Sequence, residues 1–414
     1  MWWAIRLFVC VLSCNAVSQT VQTLDLRMAL HRAAEHHLLL RSASYAIPMA
    51  KADSLGASLM PNPALSVQYA QLPSQLPKPG GLSPNFGQWQ ISLMQTVDLV
   101  GVRQRRIDVA KQSQHAASEL YNTTLQQVLA DAAARWIELW SAERRRAVLE
   151  RAVASADSLV SINRIRLRSQ AIAAPDVWRA EMLASQYRLQ QLQTDQQIRS
   201  ALRALQFAIG TDDSVTTMQV EFNLPIEDLP LQAWIERALA HRADYQLAKA
   251  SLNVADANVA LQDVLGVPNP DVGLIGIQEQ GNAFLGVGIS YPIPLLNRNE
   301  GERQKAQLSL EQARANIELT IRQIRTEVTI AYEAYRTAQG ALAQARTVLS
   351  KASDVLATVQ LAYLKGSTPI VDLLEAQRSW YETEQAYYDA LTEYWRSVIG
   401  LLAASGQLST LAEE

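Results

Sequence analysis

Cysteine is missing from almost the whole chain. Cys10 and Cys14 are the only two, so past residue 14 neither a disulfide nor a thiolate metal site can form. Long hydrophobic runs are also missing. Beyond about residue 20 no apolar stretch reaches the roughly 18 residues that a membrane-crossing helix needs. Charge of one sign is not in excess. The net charge is −3, which offers no basic surface for nucleic acid. No P-loop, dinucleotide fingerprint or Ser-His-Asp order stands out. His31, His36, His37, His115 and His241 supply no i, i+4 pair with a third ligand. The expectation is a chain that is not an enzyme, has no cofactor or metal, and has no nucleic-acid partner.

The N-terminus reads as an export signal over residues 1–18. Arg6 is followed by the apolar stretch Leu7 to Leu12, and Ala16-Val17-Ser18 offers small residues for cleavage. Val11-Leu12-Ser13-Cys14 offers the alternative of lipidation at Cys14. An exported chain with no later membrane helix is secreted, periplasmic or an outer-membrane barrel.

The remainder carries one long module twice, at an offset of 196 residues. Leu93, Val97 and Leu99 correspond to Ile289, Ile293 and Leu295, Asp176 to Asp372, and Gly210 to Gly406. That period is far too long for a solenoid unit, so the chain is a duplicated half-molecule. The first copy spans 19–226 and the second 227–414. Each reads as helix, strand pair, very long helix, turn and long helix.

The opening helices run from Leu24 to about Leu59 and from Leu231 to about Leu265. Pro61-Asn62-Pro63 and Pro268-Asn269-Pro270 stop them, because proline lacks an N–H and disfavours helix before it. Strand pairs follow, over 63–99 and 270–295. Leu65, Val67 and Tyr69 alternate with polar or small neighbours, as do Trp89, Ile91 and Leu93, and Leu285, Val287 and Ile289. Runs of about nine or ten residues suit tilted membrane strands. Hairpins of a soluble sheet would alternate in the same way. Trp89, Phe86 and Tyr69 fit either an aromatic girdle or ordinary strand positions.

The long helices are expected over 103–168 and 175–209, then 299–364 and 369–405. From Ile317 through Ile324, Val328, Tyr335, Leu342, Leu349 and Leu356 to Tyr363, steps of four and three meet only apolar or aromatic residues. This is the 3.5-residue period of a coiled coil. The first copy repeats the seam with interruptions at Arg135, Arg146 and Asn163. The charge run Glu143 to Arg146 reads as a solvated face. A helix from Asn299 to Tyr363 would be roughly 100 Å long at 1.5 Å per residue. Four membrane strands cannot close a barrel alone, so several copies would have to pool strands and helices into one conduit.

The chain resembles the TolC-type outer-membrane efflux proteins of Gram-negative bacteria. The carriers are Pro61-Asn62-Pro63, the segment Gln95 to Arg103, Pro268-Asn269-Pro270-Asp271, and the run Val287 to Gly301. The last run, with Asn297-Arg298-Asn299-Glu300-Gly301, is similar to the cobalt-zinc-cadmium branch, whose members work with heavy-metal pumps. The resemblance implies a mainly α fold with a β-barrel portion. A homotrimer would close a 12-stranded outer-membrane barrel continuous with a coiled-coil tunnel in the periplasm. It implies an inner-membrane RND-type pump and a periplasmic adaptor (membrane fusion) protein as partners, with outer-membrane lipid around the barrel. It also implies a constriction at the periplasmic tip, with Asp372 and Glu375 as acidic rings and Tyr363 holding the tip closed. Thr368 stands where some relatives carry a gating arginine. Asp372 and Glu375, at i and i+3, also suit a solvated helix start. The alternatives are a channel for drug efflux or type I protein secretion and, from another class, a periplasmic coiled-coil adaptor.

Overall fold

A computed structural model describes residues 22–71, 87–217, 226–279 and 282–413. The expected signal segment, Cys14, Phe86 and most of the loop between the first strand pair lie outside the described residues.

The first copy begins with strand β1 (Gln22–Thr23) and three short helices, α1 (Leu26–His36), α2 (Leu38–Ser44) and α3 (Ala46–Ser58). The single helix expected from Leu24 to Leu59 is therefore broken twice. At the first break the His37 backbone is extended, and its Nδ1 accepts from Leu39 N at 3.1 Å, capping α2. Strands β2 (Ala64–Gln71) and β3 (Gly87–Thr96) follow, then helix α4 (Val102–Arg168), helix α5 (Ala174–Ile209) and strand β4 (Val215–Thr216). The second copy contains α6 (Leu231–His241), α7 (Ala243–Leu265), β5 (Asp271–Glu279), β6 (Asn282–Ser290), α8 (Glu300–Leu364), α9 (Ile370–Ala404) and α10 (Leu408–Glu413). Its opening helix is broken as well, at Arg242. That guanidinium holds Asp244 at 2.5 Å and also reaches Glu327 of α8.

The long helices match across the copies. α4 has 67 residues and α8 has 65. Both end in a left-handed residue, Gln170 with φ 57° and Gly366 with φ 77°, which stand 196 positions apart. Their starts do not keep that offset. Left-handed Gly101 precedes α4 and left-handed Asn299 precedes α8, 198 positions apart. α8 thus begins two residues later in its copy than α4 does and is two residues shorter, while the turns keep the offset of 196.

Each copy closes on itself. A Cβ on Gly210 would lie 2.6 Å from the carbonyl oxygen of His36, and one on Gly406 would lie 3.1 Å from that of His241. Both glycines are left-handed, with φ of 67° and 74°. The return helix therefore ends against the last residue of the short helix that opened the copy, where only glycine fits.

Two cores hold the helices. At mid-length, Trp136, Leu129, Ile137, Leu205, Trp234 and Val398 are buried together, and Trp136 Nε1 donates to Leu24 O at 2.9 Å. β1 pairs in parallel with β4 beside this core. Glu143 fastens that pair. Its carboxylate is buried and accepts from Thr216 Oγ1 at 2.7 Å, Thr217 N at 2.8 Å and Thr217 Oγ1 at 2.6 Å. It does not belong to a solvated face. A buried carboxylate is tolerable only with such a set of donors. The second core gathers Val148, Leu149, Tyr187, Tyr363, Leu373 and Tyr381 nearer the hairpin tips.

The four long strands form one antiparallel sheet in the order β2-β3-β5-β6. Register places Leu65, Leu93, Leu274 and Val287 in one row, and Val67, Ile91, Gly276 and Leu285 in the next. This face is apolar, while the opposite face of β2 and β3 carries Ser66, Gln68, Gln90 and Ser92. β2 and β6 are the unpaired edges.

Candidate functional site

Two regions position side chains that matter: the junction between sheet and helices, and the tips of the helical hairpins.

At the junction, Asp98 starts α4. Its carboxylate accepts from the backbone N–H groups of Gly101 and Val102, both at 2.9 Å, and of Arg103 at 2.8 Å. Burial opposes ionisation here. The donors Arg103, Val102 and Gly101, with the Asn269 amide, outweigh it and hold the Asp98 carboxyl below its ordinary value of 3.8. Asn269, from the second Pro-Asn-Pro, crosses to the first copy. Its Oδ1 accepts from Leu99 N at 3.1 Å and its Nδ2 donates to Asp98 at 3.4 Å. Asp271 accepts from Thr96 Oγ1 at 2.6 Å. The proline motif thus ends a helix and also ties the two hairpins at the level where they meet the helices. Its sequence announces the first role and gives no sign of the second.

At the tips, α4 turns into α5 and α8 into α9. Ala171 N donates to Arg166 O at 2.9 Å and Ser367 N to Ala362 O at 3.0 Å, the same closing bond 196 positions apart. Tyr363, in the last turn of α8, is buried. Its hydroxyl donates to Asn163 Oδ1 of α4 at 2.6 Å. The Arg166 guanidinium lies 4.7 Å from the centre of the Tyr363 ring. Asn163, an interruption of the first coiled-coil seam, is thus the acceptor for a residue of the second copy. Arg135 and Arg146, the other interruptions, are paired at the surface, Arg135 with Asp131 and Glu138, Arg146 with Glu150 and Asp195.

Asp372 and Glu375 stand in the first turns of α9 and are exposed. Among the described residues neither has a hydrogen-bond or ion-pair partner. The first copy differs at the same place. Asp176 pairs with Arg179 at 3.3 Å, and Arg179 is the counterpart of Glu375. One tip of each chain is neutralised and the other presents two free carboxylates. Tyr363 is separate from them in environment: it is packed inside the chain, whereas they point away from it. Among the described residues no group of three or more His, Cys, Asp and Glu could hold a metal, and no helix is long and apolar enough to cross a membrane.

Nearby, the Tyr187 and Tyr381 rings lie 4.7 Å apart between α5 and α9. Burial pushes the Tyr187 phenol up to about 12 and raises that of Tyr381 as well. Tyr381 donates to Gln190 Oε1 at 2.9 Å. The sequence gives no sign of this contact between the copies, since the two tyrosines lie 194 positions apart.

The comparisons with known proteins fall on both copies. The model of the outer membrane efflux protein family matches residues 29–211 and 234–407. The outer membrane efflux protein BepC of Brucella suis biovar 1 (strain 1330) is 24% identical over 297 residues, which is 69% of this chain and 64% of BepC. The chain therefore spans less than two thirds of that relative. A crystallised membrane protein of Pseudomonas aeruginosa superposes with a TM-score of 0.76 at 21% identity, covering 94% of this chain and 91% of that one. The CusC structure, described as bearing on folding and transmembrane channel formation, gives 0.74 at 17% identity, with 93% of each chain covered. These likenesses show the fold, a TolC-like outer-membrane channel built from two repeats.

Proposed function

Since the chain belongs to the outer membrane efflux protein family, we propose that it is the outer-membrane exit channel of a tripartite efflux pump. Members of this family are channels, and the chain is an outer-membrane protein rather than an enzyme. The carrying observation is that the family match falls separately on two halves, each with one hairpin and one pair of long helices. Four strands with two open edges cannot stand in lipid. Three copies, edge β6 to edge β2, would supply twelve strands, and the apolar row Leu65, Leu93, Leu274 and Val287 would face lipid. The long helices would close a tunnel below them, met in the periplasm by an adaptor and an RND-type pump.

The constriction belongs at the tip. Asp372 and Glu375, free and exposed in each chain, would give rings of like charge that attract cations and are crowded in the closed state. Tyr363 would hold the second hairpin against the first through Asn163. Heavy-metal cations are the cargo that this reading favours. Its support is the similarity of Asn297-Arg298-Asn299-Glu300-Gly301 to the metal branch, together with the free carboxylates.

Fractionation tests the channel reading. The mature protein should sediment with the outer membrane and leave it only in detergent, as a trimer. A monomer that is soluble without detergent would contradict it and favour the periplasmic adaptor alternative. Deletion of the gene should sensitise cells to heavy-metal cations. Sensitivity to organic compounds alone would point to drug efflux, and a defect confined to protein export to type I secretion.

A further inference from the structure

The contact between neighbouring copies can be read from the contact within one chain. In the tip half, α4 is flanked by α5 and α9, and α9 by α8, giving the order α5-α4-α9-α8. Among the described residues nothing packs there on the outer flanks of α5 and α8. The duplication supplies the missing neighbour. α4 and α8 are counterparts, as are α9 and α5. The joint α4–α9 inside a chain therefore has its equivalent in α8 of one copy against α5 of the next.

We infer that Lys351 pairs with Glu181 of the partner subunit across this second joint. Within the chain, Gln377 Nε2 of α9 donates to Ser155 Oγ of α4 at 3.3 Å. Moving both residues by 196 positions turns Ser155 into Lys351 and Gln377 into Glu181, a neutral pair into opposite charges. The other polar links of the joint go the opposite way. Arg151–Glu384, at 2.5 Å, becomes Thr347 and Arg188, and Arg145–Asp389, at 2.8 Å, becomes Ala341 and Gln193. The joint between copies thus loses both charge pairs of its in-chain equivalent and gains one elsewhere.

The side chains are placed for it. Lys351 is exposed and, among the described residues, has no hydrogen-bond or ion-pair partner. It sits between Val348 and Val355, apolar yet exposed on the same flank of α8. Glu181 takes both bonds from Arg164 on Oε1, at 3.1 and 2.6 Å, which leaves Oε2 to accept. It sits between Trp178 and Met182, also apolar and exposed. Two apolar strips, one with a lysine that has no partner and one with a carboxylate oxygen left over at corresponding height, form a complementary pair only between separate copies. The tunnel wall is incomplete without it.

This inference rests on the channel reading, and one experiment separates their failures. Lys351→Cys and Glu181→Cys are introduced together, and the protein in its native membrane is treated with a short bis-methanethiosulfonate cross-linker. A non-reducing gel should show linked dimers and trimers that collapse on reduction. Each single variant, which controls for the native cysteines, should stay monomeric on the gel. In parallel, Lys351→Met and Glu181→Gln should each lower the temperature at which the detergent-extracted trimer dissociates, and the double variant should fall less than the two shifts added together, because the in-chain loss at Arg164 cancels in the cycle. A wild-type protein that is monomeric in detergent would sink the channel reading itself. A trimer in which the double-cysteine variant stays unlinked, or in which the two shifts add in full, overturns the Lys351–Glu181 pairing alone.

Discussion

Single residues mark where the two copies have diverged, and their energetics can be tested. Tyr363 and Asn163 form a buried polar pair whose counterparts, Leu167 and Val359, are apolar. Tyr363→Phe would leave the Asn163 amide buried without its partner, a loss of about 1–3 kcal/mol. Tyr363→Phe/Asn163→Val removes both polar groups and should recover most of that loss. Thermal unfolding of the two variants in detergent checks the difference. At the turns, Gln170 occupies the left-handed conformation that its counterpart Gly366 adopts freely. A side chain there costs roughly 1–2 kcal/mol, offset in part by the greater freedom of glycine in the unfolded chain. Gln170→Gly should therefore raise the melting temperature slightly and Gly366→Gln should lower it. Equal responses at the two sites would contradict the equivalence of the turns.

Elements were read from the sequence to different depths, for physical reasons. The seam from Ile317 to Tyr363 fixed α8, because a 3.5-residue period sustained over many turns has no competing reading; the structure ends it at Leu364. Pro175 and Gly210 bounded α5, and Pro369 and Gly406 bounded α9. The breaks at His37 and Arg242 were not legible, since both interrupt apolar periodic stretches without glycine or proline; an extended backbone and local hydrogen bonds make them. β1 and β4, of two residues each, are too short to leave a pattern. The burial of Glu143 was equally hidden, because its partners Thr216 and Thr217 come from far along the chain. Asp98 gives the element scale its own prediction. Its pKa is depressed in the folded state, so its contribution to the start of α4 is full above the ordinary value of 3.8 and is lost as pH falls below that through the folded value. Hydrogen exchange at Gly101, Val102 and Arg103 should speed up in Asp98→Asn at neutral pH and in the wild type only in that acid window. Wild-type protection lost already near pH 6 would contradict the cap.

At the scale of the whole molecule, the duplication would let one chain make a third of the proposed channel. Two hairpins and two helix pairs give nearly repeating parts, which on that reading would close between copies as they close within them. Near-symmetry stops at the tips, where Asp176 is paired with Arg179 while Asp372 and Glu375 are free. Three chains would then set six free carboxylates around one opening, repelling each other while the tunnel is shut. Replacing both side chains by alanine should remove the cation preference and, because alanine is shorter, widen the opening, while relieving the repulsion in the closed state. The most direct measurement is single-channel recording in planar bilayers of protein extracted from outer membranes. The wild type should insert as a trimer and pass a small, cation-preferring current, and Asp372→Ala/Glu375→Ala should raise the conductance and weaken the preference. A trimer with the same conductance and selectivity in both forms would remove the constriction from the tip. A protein that inserts no conducting species at all would contradict the channel.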